Sequence, residues 1–152
     1  MTFGGVEMPV YQGFDSKDRH IVRSQFTVDG ILPDGRVFEI TVAEGFIFDG
    51  ASIPRALWRV CGQPMSVPRV AAALIHDWLY SAHVCDRETA DQIYRAICRR
   101  VGLGAFSVGV EYYTLRIFGR FAWKSHGVND EKFARARGAM VLEGEVMKGL
   151  EK

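Results

Sequence analysis

The chain is poor in cysteine and has no long apolar run, and both shortages exclude classes of protein. Its three cysteines are an odd number without CxxC spacing, so neither a disulfide framework nor a zinc ribbon is indicated. The longest apolar stretch, around residues 118–123, is interrupted by Arg116, Arg120 and Lys124 and falls far short of the roughly 20 residues of a membrane span. We therefore expect no membrane span, and reduced, mostly buried thiols in a protein made in a cytoplasm.

An excess of charge of one sign is also missing. The 19 Lys and Arg residues nearly balance the 18 Asp and Glu residues, and a net charge of +1 gives no case for nucleic acid as a partner. Residues 1–10 show no basic region followed by an apolar run, so we expect no signal peptide. The 152 residues are 48% hydrophobic, enough for a core, and we expect one domain over residues 1–152. Local basic clusters are interpreted as solvated helix faces: Arg95, Arg99, Arg100, Arg116, Arg120 and Lys124.

The pattern before residue 50 is typical of strands. Residues 21–28 and 36–42 are rich in β-branched and aromatic side chains, and turn residues such as Asp29-Gly30 and Pro33-Asp34-Gly35 separate them. In the second run Phe38, Ile40 and Val42 share the face better suited to the core. The pattern predicts a β-hairpin, which a short strand over residues 45–48 extends.

After residue 50 the pattern is typical of helices. Capping residues, among them Asp86 before the third helix, and helix-compatible runs predict a short helix after Ser52, then helices over about 66–80, 87–101 and 105–124, and a last one over about 130–148. The predicted fold class is α+β. A small N-terminal antiparallel hairpin or sheet precedes a bundle of about four or five helices.

The helix over residues 105–124 is unusually aromatic. Its apolar residues cover most of the circumference, which favours a helix central to the core. A partner-binding stripe is the alternative. The aromatic residues in question are Tyr112, Tyr113, Phe118, Phe121 and Trp123.

Polar residues converge at the predicted turn between the second and third helices. His76 and Asp91 are each about 7 Å from that turn, at matching heights on antiparallel neighbours. Tyr80 shares the face of His76 at i, i+4, and Asp77 points about 100° away. The catalytic candidates are therefore His76, Asp77 and Asp91.

A second segment, residues 48–54, adds Asp49 and Ser52 at a strand-to-helix junction. Asp49, Ser52 and Tyr80 are candidate ligand-binding residues. One His and two carboxylates can hold a divalent metal with open positions for water and substrate, and the metal candidates are His76, Asp91 and Asp49. Without a metal, His beside Asp can act as a general base. The third interpretation is a structural network of buried polar groups.

Several of these residues carry a resemblance to a known family. Residues 48–54 (FDGASIP), 72–80 (AALIHDWLY), Arg87 with 90–94 (ADQIY), and 116–119 (RIFG) with Trp123 resemble the domain of unknown function 1353, a family of small proteins encoded by tailed phages and prophages. The resemblance covers about residues 15–124. Residues 129–152 are expected to be a helical extension particular to this chain.

The resemblance implies a phage or prophage late protein, found in the host cytoplasm when synthesised and then in the virion. We expect a virion-associated structural or accessory component of the tail or connector region, with other phage proteins or further copies of itself as partners. One alternative is a small metal-dependent or His-Asp hydrolase acting on cell wall or a nucleotide-like substrate. Another is an accessory module that binds a host protein.

Overall fold

Three α-helices and nine β-strands form the part of the chain that the structure describes. The structure is a computed structural model that describes residues 1–15, 19–48, 66–125 and 136–148, together with residue 59. The helices are α1 (Arg69–Ala82), α2 (Arg87–Arg100) and α3 (Ala105–Ser125). The strands are β1 (Thr2–Phe3), β2 (Val6–Glu7), β3 (Tyr11–Gly13), β4 (His20–Val22), β5 (Phe26–Ile31), β6 (Val37–Val42), β7 (Ile47–Phe48), β8 (Gly138–Leu142) and β9 (Glu145–Lys148).

The predicted β-hairpin is confirmed as β5 and β6. These strands pair antiparallel from Phe26 opposite Val42 to Ile31 opposite Val37. The expected face of β6 is the core face, because Phe38, Ile40 and Val42 are buried while residues between them are exposed or half-buried. Period-two alternation therefore identified both the strand and its buried side.

The strand predicted over residues 21–28 is two strands in different sheets. β4 ends at Val22, and β5 begins at Phe26 after a short break. β4 pairs with β3 and with β7, so the predicted strand near 45–48 exists but does not extend the β5–β6 hairpin. The resulting sheets are β1-β2, β3-β4-β7 and β5-β6-β8-β9, all antiparallel.

The helix predicted over residues 130–148 is wrong for the described residues 136–148. They form the β8–β9 hairpin, and β8 pairs with β6 in the central sheet. Glu143 and Gly144 both have positive φ, the backbone of a tight two-residue hairpin turn. Met140 is fully buried, so this segment belongs to the core and is not a helical extension.

The predicted fold class is wrong in its proportions. The described residues contain three helices and a four-stranded sheet completed from the C-terminal end of the chain, instead of a small N-terminal sheet and four or five helices. The predicted helices near 66–80, 87–101 and 105–124 are confirmed as α1, α2 and α3. The short helix predicted after Ser52 falls on residues outside the described ranges.

Helix α1 lies at the centre of the packing. It contacts β6 and β7 as well as α2 and α3, and nearly all its residues are buried. Residues 71–73 are alanines, whose small side chains allow close approach of neighbouring elements. Helix α2 begins at the predicted cap, where the Asp86 carboxylate accepts a hydrogen bond from the Thr89 N–H at 3.1 Å. The polar residues at the α1–α2 turn are positioned by this packing.

Candidate functional site

The carboxylate of Asp91 is the centre of a buried polar cluster. Its side chain is fully buried. Oδ1 accepts from His76 Nε2 at 2.8 Å and from the Tyr80 hydroxyl at 2.7 Å. Oδ2 accepts from Arg116 Nη1 at 2.9 Å and, at a more distant 3.5 Å, from Arg87 Nη1. One carboxylate thus receives donors from α1, α2 and α3, and we call these five residues the Asp91 cluster.

The local sequence explains how α1 and α2 bring their side chains together. His76 and Tyr80 are one helical turn apart on α1, and their rings lie 4.2 Å apart. After α1, His83 adopts a left-handed conformation and its N–H bonds to the Leu79 carbonyl, which ends the helix. Asp86 then starts α2, so a short connection returns the chain beside α1. The expected juxtaposition of His76 and Asp91 is observed.

Helix α3 reaches the cluster because residue 119 is glycine. A Cβ at Gly119 would lie 2.6 Å from the Tyr80 hydroxyl and 3.3 Å from Arg87 Nη1. One turn later, Trp123 packs edge to face on the Tyr80 ring with centroids 5.1 Å apart. Arg87 also donates to the Leu115 and Arg116 carbonyls at 3.0 and 3.1 Å. These contacts hold α3 against the ends of α1 and α2.

The electrostatics of the cluster favour an ionised Asp91. Burial raises the pKa of this carboxyl, but the hydrogen bond and attraction of His76, then the hydrogen bonds of Tyr80 and Arg116, outweigh it. The net pKa lies below its ordinary value. Burial, followed by the hydrogen bond to Asp91, raises the pKa of the Tyr80 hydroxyl well above its ordinary range, so Tyr80 stays a protonated donor. Because an ionised carboxylate only accepts, Nε2 of His76 carries a proton.

A second buried polar cluster, which the sequence analysis missed, lies between the same helices. Arg69 Nε donates to Glu111 Oε1 at 2.7 Å, and the Tyr94 hydroxyl donates to the same oxygen at 3.0 Å. Burial raises the pKa of the Glu111 carboxyl more than the Arg69 guanidinium lowers it. The neighbouring Cys98 is buried and its pKa is raised mainly by that burial, so its thiol stays protonated.

The predicted site residues divide into three groups. His76, Tyr80 and Asp91 lie together. Asp77 lies on the same helix and is buried as well, and its main-chain carbonyl accepts a hydrogen bond from the Ser81 hydroxyl at 2.8 Å. Asp49 and Ser52 lie outside the described residues. Arg87, named in the sequence only among the residues of the family resemblance, is a member of the cluster, and so is Arg116, which was expected on a solvated face.

Among the described residues, the Asp91 cluster is a hydrogen-bonded network, and the third metal candidate, Asp49, lies outside them. Within the described ranges, no three His, Cys, Asp or Glu side chains lie close enough to hold a metal ion. Oδ2 of Asp91 faces two guanidinium groups, and a metal cation would compete with both for the same carboxylate. As a general base, His76 would have to use Nδ1 from a side chain that is only 7% exposed.

The opposite side of α3 is exposed and apolar. Phe106, Tyr113, Ile117 and Phe121 are between 61% and 77% exposed, and the half-buried Val110 lies among them. We call these five residues the α3 face. The prediction of a helix central to the core is wrong for this side of α3, although Tyr112 and Leu115 on the other side are buried. Spacing alone could not separate the two faces, because both are apolar.

None of the helices in the described part of the chain has the length and apolar character to cross a membrane.

Comparison with known proteins identifies a family and no characterised relative. No curated protein matches the chain, and no solved structure matches it. One family model, described as a protein of unknown function (DUF1353), matches residues 23–115, which is more than half of the chain. The match includes α1, α2 and four of the five members of the Asp91 cluster, and it ends one residue before the fifth, Arg116. The chain therefore belongs to the DUF1353 family of proteins of unknown function.

Proposed function

We propose that this protein is a non-catalytic structural or accessory component that works by binding another protein. The observation that carries the proposal is the α3 face, where four large apolar side chains are each more than half exposed on one side of one helix. Single exposed apolar residues are common, but a continuous apolar strip of this kind marks interaction surfaces. The partner is expected to cover this strip.

The Asp91 cluster supports the non-catalytic part of the proposal. The Asp91 side chain is fully buried and accepts from four donors of the protein, so it cannot contact a substrate directly, and a catalytic role would have to pass through His76, which is only 7% exposed. Its four donors tie three helices together. The cluster therefore serves to hold α3, and with it the α3 face, in a fixed position.

The place where such a component acts is proposed from the family resemblance. We place the protein in a phage or prophage particle, in the tail or connector region, after synthesis in the host cytoplasm. A rigid small domain with one apolar docking strip suits an accessory part of a larger particle, because binding then requires little reordering.

Co-sedimentation with particles tests this proposal. The tagged protein is produced in cells that form the particles, and the particles are separated on a density gradient. We expect wild type in the particle fraction, Ile117→Asp in the free fraction, and the control Ile31→Asp with the particles. Ile31 is a matched control because it is 65% exposed, close to the 61% of Ile117, but lies on β5. Wild type found only in the free fraction, or bound there to a host protein, contradicts the virion assignment.

A hydrolase is the second candidate, favoured by the 2.8 Å hydrogen bond between His76 and Asp91. It predicts about one divalent metal per chain, lost in His76→Ala. Elemental mass spectrometry distinguishes the hydrolase from the structural role. It is applied to wild type and His76→Ala before and after incubation with zinc, manganese or magnesium. Bound metal in wild type alone supports the hydrolase, and no metal in either supports the structural role.

A further inference from the structure

The α3 face has the spacing of a seam that packs against another helix. Phe106, Val110, Tyr113 and Ile117 follow each other at intervals of four, three and four residues, the repeat of the contact positions in coiled coils. The strip from Phe106 to Phe121 is about 22 Å long at the helical rise per residue. An open surface depression of about 570 Å³ covers part of the strip, lined by Phe106, Val110, Tyr113, Ile117 and their neighbours on the same helix.

The charge on this side of α3 is positive at one end only. Arg120 and Lys124 are exposed and, three and seven residues after Ile117, continue the same side of the helix toward its C-terminus. The Arg120 guanidinium lies 4.9 Å from the centroid of the Phe121 ring, so cation and apolar strip are contiguous. The sequence of α3 contains one carboxylate, Glu111, and that residue is buried against Arg69.

We infer that the α3 face receives an amphipathic α-helix of another protein, whose apolar seam covers the strip and whose carboxylates lie against Arg120 and Lys124. This inference rests on the proposed function and names the chemistry of the partner. The partner helix runs antiparallel to α3. Its carboxylates then occupy its own N-terminal turns, where they also interact favourably with its helix dipole.

A second copy of this chain fits less well than a foreign acidic helix. In an antiparallel pair of α3 helices, Arg120 and Lys124 of one copy would face the start of α3 in the other, which carries the positive end of the helix dipole and has no acidic residue in its first turn. In a parallel pair, cations would face cations. Both arrangements bring like charges together without compensation.

Two synthetic helical peptides serve as probes of this chemistry. Both carry the same apolar seam over about three heptads, and they differ only in having Glu or Lys at the N-terminal flanking positions. Binding of each labelled peptide to the full chain is measured by fluorescence anisotropy. We expect the Glu peptide to bind wild type at least about tenfold more tightly than the Lys peptide, with the difference reduced by high salt.

Two variants and a control test where the peptide binds. Ile117→Asp should abolish binding of both peptides, and the double variant Arg120→Glu with Lys124→Glu should remove or reverse the preference for the Glu peptide. Ile31→Asp should bind as wild type does. All four substituted positions are exposed, and circular dichroism is used to check that each variant retains the fold.

Three other outcomes overturn the inference. In the first, wild type binds the Glu and Lys peptides with equal affinity or binds neither. In the second, it binds anionic phosphatidylserine vesicles and not the peptides. The third is a dimer in sedimentation velocity that Ile117→Asp abolishes. If the peptides fail while Ile117→Asp still removes the protein from particles, the partner chemistry is wrong but the proposed function stands.

Discussion

At the scale of single residues, Asp91 shows how a buried carboxylate is accommodated among three helices. A buried carboxylate is costly unless hydrogen bonds and opposite charges replace its hydration. Here His76, Tyr80 and Arg116 provide close hydrogen bonds, and Arg87 adds a fourth contact. Because its side chain is fully buried, Asp91 could influence a ligand only through one of these partners.

Replacing Asp91 with Asn is expected to lower the free energy of unfolding by about 3–5 kcal/mol. Arg116 then loses its buried counter-ion, and the amide N–H group of Asn faces side chains that are themselves hydrogen-bond donors. Urea unfolding measures the change. The control Asp34→Asn removes an exposed pair with Arg36 and should leave stability unchanged within error. A loss in Asp91→Asn no larger than in the control would show that the cluster does not hold the fold.

The pH dependence of stability should carry opposite signs for the two buried carboxyls. The pKa of Asp91 is lowered in the folded state, so its contribution is present above the unfolded value of about 4 and is lost as pH falls through the folded pKa. The pKa of Glu111 is raised, so its contribution is present below the unfolded value and is lost as pH rises through the folded pKa.

Urea unfolding between about pH 2 and about pH 7 checks these signs. The stability advantage of wild type over Asp91→Asn should grow with rising pH across this range. The advantage over Glu111→Gln should shrink with rising pH. Two advantages that change in the same direction would contradict the assignment.

At the scale of elements, α3 has two apolar sides with different roles. One side carries Leu115 and Gly119 against α1 and α2, and the other carries the α3 face. Because both sides are apolar, the amphipathic signal that normally identifies the buried side of a helix is weak. Contact with the Asp91 cluster decides which side turns inward.

The two glycines of α3 are expected to respond in opposite ways to alanine. Gly109→Ala should raise the free energy of unfolding by about 0.5–1 kcal/mol, because alanine favours the helix and nothing lies within 4 Å of the added Cβ. Gly119→Ala should lower it by about 1–3 kcal/mol, because its Cβ would displace Tyr80 from Asp91. Thermal unfolding of both variants provides the comparison, and a gain in both would show that α3 does not approach Tyr80 closely.

At the scale of the whole molecule, the C-terminal hairpin completes the central sheet. β8 pairs with β6, and the Trp78 indole of α1 donates to the Arg137 carbonyl at 3.2 Å. A Cβ at Gly138 would lie 2.0 Å from the Thr41 carbonyl oxygen, so a glycine is required where β8 begins. Residues far apart in sequence are thereby joined in one core.

Met140→Ala is expected to lower the free energy of unfolding by about 2–5 kcal/mol, since Met140 is fully buried in the sheet. Val146→Ala, on the exposed side of the same hairpin, should change it by less than about 1 kcal/mol. Urea unfolding measures both. Equal small effects would be expected of a loosely attached extension and would contradict the β8–β9 hairpin.

Local signals predicted some parts of the structure well. The alternation in β6 and the Asp86 cap of α2 identified those elements, and the short α1–α2 turn placed His76 opposite Asp91. The prediction of a helix over the residues of the β8–β9 hairpin is wrong. Gly138 and Gly144 are unfavourable in a helix interior and are the local signal against that helix. A hairpin that pairs with a distant strand has little local signal of its own.

The sequence by itself determined the period of β6, the Asp86 cap of α2, the approximate ranges of three helices, and the neighbourhood of His76 and Asp91, because these depend on residues close together in the chain. Only the tertiary structure decided that Arg116 completes the Asp91 cluster, that β8 joins β6, and that Phe106, Tyr113 and Ile117 remain exposed. Those features depend on which surfaces meet across long separations in the chain, and the packing of the whole molecule selects among apolar faces that look alike locally.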